Sequence, residues 1–440
     1  MERALARRTL LAGAAAAGVG TVFAGAGKAV AGGWGGPVRQ AAVAAETARL
    51  ERALIELRRD IHRHPEAPGQ EQRTAAVVAR ELRAAGLTVT TGVGGHGVVG
   101  VLRGTCPGRT VAYRADMDAV PPTDIVGTGP APAHVCGHDV HTAVGIGAAQ
   151  VLARLRQQLS GTAVFLFQPA EETLSGARAL IDAGVLERMG IEEIHALHCG
   201  PFPVGQFAVT PGYGMPGQDK AEVSLSGPDA LDAARRLAVD ISALATVALP
   251  QTPADLERIV ADAKTPNGPL ARFVAVRATA QEATVNVSYR CWPPERYVEV
   301  REDIRRASMP YAGAATRFPA EPFPAMVCPA RDANLLTRHL RHTVGRDTVT
   351  ELRAAFPPFS GEDFALYLDR IPGTYTFLGV RAPGAAITTS YPHYPDFSPD
   401  ERAIGVGVRA MAGWIAERTH GTQGLPGGFR EAGAPHRARN

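Results

Sequence analysis

The feature that most constrains the fold is an alternation of short apolar strands with helical stretches. Apolar runs of strand length occur at residues 98–102, 110–113, 163–167 and 194–198. Between them, apolar residues recur at helical spacing over residues 142–159 and 176–183. Strands that alternate with helices indicate an α/β sheet covered by helices on its faces.

This alternation is interrupted once, from about Gln218 onward. Strands are predicted there at residues 221–226, 273–278 and 283–290, with helices at 231–245 and 295–307. After Cys328 the α/β pattern returns, with a helix at 333–344, a strand at 374–378 and a last helix at 404–417. We therefore predict a discontinuous α/β domain at residues 40–216 and 327–420, into which a smaller α+β domain is inserted at 217–326.

The composition is that of a globular protein without a nucleic-acid partner. The chain has 440 residues, 45% of them hydrophobic, and a net charge of +3 from 46 basic and 43 acidic residues. Basic and acidic residues are interleaved, which argues against nucleic-acid binding. The cysteines are scattered and odd in number, which excludes a disulfide framework: Cys106, Cys136, Cys199, Cys291 and Cys328.

The two ends of the chain have their own character. Arg7 and Arg8 precede an uncharged stretch at residues 9–27 and the tripeptide Ala29-Val30-Ala31. This pattern predicts a twin-arginine signal peptide at residues 1–31, and so a protein exported to the cell envelope or the exterior. The alternative is an uncleaved membrane anchor, although glycines make the stretch weakly apolar. Elsewhere no segment suggests stable membrane insertion, and residues 421–440 are predicted to be disordered.

Candidate chemistry begins with Cys136 and His138, which stand two residues apart where a helical pattern opens. Such a turn can aim a thiol and an imidazole at one metal ion, or it can simply be a loop with a buried thiol. Glu171 and Glu172 follow an apolar strand. Adjacent acids point in different directions, so one could ligate a metal while the other accepts a proton; two solvated acids before a helix are the alternative.

Further polar groups occur at other strand ends and loops. His198 ends a strand, and His393 lies in a proline-rich loop. Asp116 and Asp118 share one face of a strand, where one could orient a metal ligand. Three other features are predicted to be structural: a helix-capping box at residues 360–363, a packing or capping role for His141, and a solvated helix bearing His339 and His342. For residues 360–363 the alternative is a role in lining the site.

These segments together make the chain resemble the amidohydrolase branch of the aminoacylase and carboxypeptidase superfamily of two-metal hydrolases, which includes hippurate and auxin-conjugate hydrolases. The resemblance covers nearly all of residues 54–416. Its motifs are R-x-x-H-x-x-P-E from Arg59, R-A-D-M-D-A from Arg114, H-x-C-G-H-D-x-H from His134, F-Q-P-A-E-E from Phe167, G-E-D-F-A from Gly361 and H-x-P-x-F from His393.

The resemblance implies a metal-dependent exopeptidase-like catalytic domain with an inserted lid or dimerisation domain, and it admits a homodimer. It implies hydrolysis of the amide bond of a small N-acyl amino acid or dipeptide-like conjugate. Glu171 would be the general base, and Asp118 would support catalysis by orienting a ligand. Two divalent ions (Zn, Mn, Co or Ni) would be bound by five residues: Cys136, His138, Glu172, His198 and His393.

The chain departs from this family in its inserted domain. The stretch G-H-x-x-x-P-H, whose histidine helps to hold the reacting carbonyl, is missing, and no histidine occurs between His198 and His339. The asparagine-proline turn expected near residues 280–282 is also missing. These losses leave two alternatives open, a non-catalytic metal-binding or ligand-binding relative and an acyl-transfer variant. If the domain supplies another donor, the candidates are Arg290, Asn286, Arg272 and Lys220.

Overall fold

The computed structural model describes residues 38–421. The predicted signal peptide and nearly all of the predicted tail lie outside these residues. Within them, no helix combines the length and the apolar character needed to cross a membrane.

Fourteen strands are present in residues 38–421. They are β1 (Thr88–Val93), β2 (Gly97–Arg103), β3 (Cys106–Asp116), β4 (Ser160–Gln168), β5 (Glu193–Pro203), β6 (Phe207–Val209), β7 (Gly214–Met215), β8 (Asp219–Ser224), β9 (Phe273–Gln281), β10 (Thr284–Trp292), β11 (Ala315–Arg317), β12 (Met326–Val327), β13 (Val349–Glu351) and β14 (Gly373–Arg381).

Eleven α-helices accompany them in the same residues. They are α1 (Gln40–His62), α2 (Gln72–Ala84), α3 (His138–Arg154), α4 (Gly176–Asp182), α5 (Val185–Met189), α6 (Ala230–Ser242), α7 (Pro253–Lys264), α8 (Tyr297–Ser308), α9 (Ala330–Thr343), α10 (Ala365–Leu368) and α11 (Arg402–His420).

The larger domain is built on an eight-stranded sheet in the order β1-β2-β4-β3-β5-β14-β6-β13. Its centre, β4-β3-β5-β14, is parallel. The central strands are buried along most of their length, as parallel strands covered on both faces must be. Helices α1, α3 and α11 cover one face, and α4, α5 and α10 pack into the apolar core on the other. The predicted fold class is confirmed.

The smaller sheet has the order β11-β8-β10-β9 and is antiparallel throughout. Its strands alternate between buried and open positions; β8, for example, buries Ala221 and Val223 and exposes Lys220 and Glu222. The buried row packs on α6 and α8. The opposite face of the sheet is therefore not part of this domain's own core.

Helix α7 was not predicted, and it packs away from the smaller sheet. Thr252 and Asp255 form a capping box at its start, and Pro253 occupies its first turn. Leu256 and Ile259 are buried in the same apolar cluster as Phe202 of the larger domain. The chain thus leaves the smaller sheet after α6, contacts the larger domain and returns at β9. The boundaries 217–326 remain a prediction.

Other differences from the sequence-based expectations have local causes. Helix α3 begins at His138, not at residue 142, because Gly137 provides a left-handed turn with φ of 99°. Strand β1 was missed because it is largely exposed and shows no apolar alternation. His339 was predicted to be solvated, but it is buried beside Trp414, and its Nδ1 lies 2.6 Å from Glu417 Oε2.

Candidate metal centre

The site forms where two neighbouring parallel strands, β3 and β4, end beside β5, which continues past His198 to Pro203. Strands β3, β4 and β5 are adjacent and run in the same direction. Asp116 on β3 pairs with Gln168, the last residue of β4. Side chains that follow these strand ends, including Asp118 and Glu171, therefore collect at one edge of the sheet. Such an edge is where α/β proteins place their ligands.

The turn between Cys136 and His138 requires glycine for two reasons. Gly137 has a φ of 99°, which L-residues with side chains rarely adopt. A Cβ at this position would also lie 2.6 Å from Cys199 Sγ. The tight turn directs both Cys136 and His138 inward, and both are buried.

The structure brings together all five predicted metal ligands. Cys136 Sγ lies 3.3 Å from His198 Nε2. Glu172 Oε1 lies 3.6 Å from His138 Nε2, and Glu172 Oε2 lies 3.4 Å from His393 Nε2. The five form two groups of three that share Cys136, and in each group the ligand atoms lie within 4.8 Å of one another.

All three histidines present the same ring nitrogen to the cluster. The Nδ1 atoms of His138, His198 and His393 lie 2.9, 2.7 and 3.0 Å from backbone carbonyl oxygens. A carbonyl oxygen only accepts, so each Nδ1 carries the proton and each Nε2 keeps its lone pair. Histidines that bind metals are oriented in this way.

Unpartnered polar atoms mark the centre of the cluster. Among the described residues, His138 Nε2, Glu172 Oε1 and Asp118 Oδ1 are buried and have no hydrogen-bond partner. A buried polar atom without a partner is costly. Imidazole, thiolate and carboxylate donors facing one another fit divalent transition-metal cations, which would satisfy these atoms.

The electrostatics of the cluster also favour a cation. Burial by itself would lower the pKa of His138, but Asp116, Asp118 and Glu172 raise it to about 10. Burial raises the pKa of the Cys136 thiol, and Glu172 and Glu171 raise it further. The negative potential therefore attracts positive charge, and a bound cation would reverse the shift at Cys136 by stabilising its thiolate.

Asp116, the last residue of β3, and Asp118, two residues later, support the cluster in different ways. Asp118 Oδ2 accepts the backbone N–H of Glu172 at 2.9 Å, and its Oδ1 lies 3.3 Å from His138 Nδ1. Asp116 Oδ1 lies 2.6 Å from His141 Nδ1. His141 Nε2 accepts the backbone N–H of Cys199 at 2.8 Å, so this histidine packs and positions without a free lone pair for metal.

Glu171 faces a second cluster of carboxylates, which we call the acid cluster: Glu171, Glu362 and Asp363. Burial raises the pKa of Glu171 well above its usual range, and the charges of Glu362 and Glu172 raise it further. Arg114 is buried here and donates to Glu362 at 3.0 Å and to Asp363 at 2.9 Å. Glu171 therefore lies where the carboxylates of the acid cluster meet the metal ligands.

The acid cluster corrects the capping-box interpretation of residues 360–363. Helix α10 begins only at Ala365, and Ser360 makes no cap. Asp363 accepts instead from Gln168 and from the backbone N–H of Ala177, while Glu362 accepts from the Tyr375 hydroxyl at 2.6 Å. Sequence reasoning missed Glu362 and Arg114 as site residues. The signal for Arg114 was present, because it shares the strand face of Asp116 and Asp118.

Of the four candidate donors in the inserted domain, Arg290 lies nearest the centre. A Cβ at Gly361 would lie 2.4 Å from Arg290 Nη1. Burial lowers the pKa of Arg290 to about 10, and the charge of Glu171 opposes this shift. Arg272 pairs instead with Glu299 on α8. Lys220 and Asn286 line a groove on the open face of the smaller sheet.

Comparisons with known proteins agree with this geometry. The sequence profile of peptidase family M20/M25/M40 matches residues 112–417. An N-acetylcysteine deacetylase of Bacillus subtilis is 30% identical over 376 residues, which cover 82% of this chain and 95% of the relative. An IAA-amino acid hydrolase of Arabidopsis thaliana is 29% identical over 384 residues, which cover 82% of this chain and 85% of the relative.

Solved structures give the same result. The crystal structure of the Bacillus subtilis YXEP protein, described as a dinuclear metal binding peptidase from the M20 family, is similar with a TM-score of 0.64 and 28% identity. The similarity covers 84% of this chain and 99% of that one.

Proposed function

The chain belongs to peptidase family M20/M25/M40, and from this premise we propose that it hydrolyses small N-acyl amino acids, with Glu171 as the general base. The resemblance inferred from its motifs is confirmed, as are metal-dependent amide hydrolysis and the two-metal centre. The finer claims, which concern the substrate and the role of each residue, are our proposal.

The observation that carries the proposal is the orientation of the three histidines. Their Nδ1 protons are held by backbone carbonyls, and their Nε2 atoms converge with Cys136 and Glu172. These five residues would hold two divalent cations. The cations would polarise the scissile carbonyl and lower the pKa of water.

The protein's own groups then handle the proton and the substrate. Glu171 is buried between the metal ligands and the acid cluster, with its Oε2 3.7 Å from His138 Nε2, so it can take a proton from water and deliver it to the leaving amine. Arg290 is the candidate donor of the inserted domain that lies nearest to Glu171, and it would stabilise negative charge on the carbonyl oxygen in place of the missing histidine.

The two alternatives are less well supported. The comparisons lend no support to a non-catalytic relative, since the two relatives described above are named for hydrolysis. Acyl transfer would need a second acceptor site, and no observation favours one. N-Acyl amino acids are preferred as substrates because one relative is named a deacetylase of N-acetylcysteine and another a hydrolase of IAA-amino acids.

The test is hydrolysis of a panel of N-acetyl and N-benzoyl amino acids by protein loaded with Zn²⁺, Mn²⁺, Co²⁺ or Ni²⁺. We expect release of the free amino acid, and loss of this activity after chelation that reloading reverses. If no metal gives turnover with any panel member while two metals are bound, the proposed substrate class is wrong.

Two further proposals concern the whole protein. Arg7, Arg8 and the tripeptide Ala29-Val30-Ala31 support export by a twin-arginine route. Export of the native chain, with retention inside the cell after Arg7→Lys and Arg8→Lys, would test it.

The exposed apolar residues Leu231 and Val239 on α6 support a homodimer through the inserted domain. A monomeric mass by light scattering would exclude the dimer.

A further inference from the structure

The open face of the smaller sheet continues directly from the catalytic centre. On β10, Ser288 and Arg290 are two residues apart and therefore project from the same face. Arg290 lies against Gly361 beside the acid cluster. In the sheet register, Ser288 stands opposite Lys220 on β8 and opposite Arg277 on β9. Lys220 and Arg277 therefore lie on either side of Ser288, on the same face of the sheet as Arg290.

We call the surface formed by Lys220, Arg277, Asn286 and Ser288 the cationic face. It lines a groove of about 510 Å³. Helices α6 and α8 cover the opposite side of the sheet, so this face is open. Two residues along a strand span about 7 Å, which puts Lys220 and Arg277 within one small molecule's length of Arg290.

Some cations on the outer helices of the same domain form ion pairs within their own helix. On the helices, Arg235 pairs with Asp232 and Arg306 pairs with Asp303, each at about one helical turn. Within residues 38–421, Lys220 and Arg277 form no ion pair and no side-chain hydrogen bond. The acidic residue of the groove, Glu222, stands opposite Arg317 at the far strand β11. Net positive charge is thus left unpaired where the groove approaches the site.

We propose that Lys220 and Arg277 form a subsite for a second carboxylate of the substrate, so that the preferred substrates are N-acyl derivatives of dicarboxylic amino acids such as glutamate. This proposal rests on the proposed function, because it adds a specificity to the same site. The side-chain carboxylate would lie between Lys220 and Arg277 over Ser288, and the amide would lie toward Arg290 and the metals. Charge complementarity and continuity with Arg290 carry the assignment.

The first test measures binding without turnover. Metal-loaded Glu171→Gln protein is titrated in a calorimeter with N-acetyl-L-glutamate and with its uncharged isostere N-acetyl-L-glutamine. An exposed ion pair contributes on the order of threefold in affinity, so two cations should favour the glutamate by about tenfold. Combining Glu171→Gln with Lys220→Gln and Arg277→Gln should abolish this preference and leave the glutamine affinity unchanged. The matched control is Arg306→Gln, which should preserve the preference.

The second test compares kcat/KM for the same two substrates with the otherwise unmodified enzyme. We expect the preference to appear mainly in KM and to decrease as ionic strength rises. The subsite would be overturned if the two ligands bound with equal affinity. It would also be overturned if Lys220→Gln combined with Arg277→Gln lowered the affinity for both ligands equally. Absence of hydrolysis of every N-acyl amino acid would instead overturn the proposed function, while the calorimetric ratio would still decide the subsite.

Discussion

Glu171 and Glu172 are neighbours in the chain, yet they have different surroundings. Both lie near His138 Nε2, but Glu172 also contacts His393, whereas Glu171 also faces Glu362 and Asp363. We therefore expect Glu171→Gln to lower kcat by about 10² to 10⁴ while metal content is kept, since a positioned general base contributes that much. Steady-state kinetics with metal analysis on the same sample measure both quantities.

Glu172→Gln is the matched variant for this prediction. It removes a carboxylate of the same size one residue away, and it should lower metal content together with activity. A Glu171→Gln protein with undiminished kcat at saturating metal would mean that another group accepts the proton.

Arg290 gives a second prediction at the residue scale. Because it is the nearest donor of the inserted domain to the acid cluster, Arg290→Gln should lower kcat by about 10² to 10³, the usual cost of losing one oxyanion donor. Arg306→Gln, on the outer side of the same domain, serves as the control and should keep the wild-type rate. An unchanged kcat for Arg290→Gln would show that the metals stabilise the carbonyl oxygen without this domain.

Sequence reasoning found the site residues that carry a recognisable chemical pattern and missed those whose hydrogen-bond partners are distant in the chain. Cys136 and His138 stand at a spacing that suggests metal binding. Glu362 resembles a helix cap until the fold brings it next to Arg114 and Tyr375. No local pattern distinguishes these cases, because the partners of Glu362 are distant in the chain.

At the element scale, Glu193 connects β5 to α11 and β3. Its carboxylate accepts from Arg418 at 2.7 Å and pairs with Arg109. Burial by itself would raise the pKa of Glu193, but His195 and Arg418 lower it well below its usual range. A carboxyl group with a depressed pKa stabilises the fold above its unfolded pKa, about 4.3, and this contribution is lost as the pH falls through the folded value.

We therefore expect Glu193→Gln to lower the free energy of unfolding by about 2–4 kcal/mol at pH 7, measured as a decrease in Tm. The difference from the wild-type protein should shrink as the pH falls below about 4, where Glu193 of the unfolded chain becomes protonated, and should disappear only as the pH passes the depressed pKa of the folded carboxyl. Glu192→Gln, which changes the exposed neighbour, should shift Tm very little. A pH-independent difference would point to packing in place of charge.

Helix α7 gives the other prediction at this scale. Leu256 is fully buried between α7 and the larger domain, so Leu256→Ala should cost about 2–5 kcal/mol of stability. Leu249→Ala, at an exposed position just before the helix, is the control. If both variants melt like the wild-type protein, the contact between α7 and the larger domain contributes little.

The sequence predicted the regular elements of the core and failed where packing partners decide the structure. The strands of the central sheet are long apolar runs, and their existence could be inferred from local pattern alone. Helix α7 was overlooked although Thr252, Pro253 and Asp255 carry a helix-start signal, and no local signal shows that Leu256 joins the apolar cluster of Phe202.

For the whole molecule, the paired ligand groups predict two metal ions per chain. Elemental analysis of carefully loaded protein should give close to two, and Cys136→Ala should lower this number, because Cys136 belongs to both groups of three. Cys106→Ala is the control, since Cys106 lies at the start of β3, at the opposite end of the strand from Asp116. A stoichiometry of one that Cys136→Ala leaves unchanged would contradict the shared thiolate.

The position of α7 also affects how the molecule recognises its substrate. The inserted domain is joined to the larger domain not only where the chain enters and leaves it, but also through α7, whose Glu257 pairs with Arg381 at 2.6 Å and whose Ala263 carbonyl accepts from Arg353 N–H at 2.7 Å. These three connections restrict movement of the inserted domain relative to the larger domain. The conformational entropy of the inserted domain is therefore lost largely during folding and not again when a ligand binds. Rates of ligand association should accordingly depend little on closure of the inserted domain.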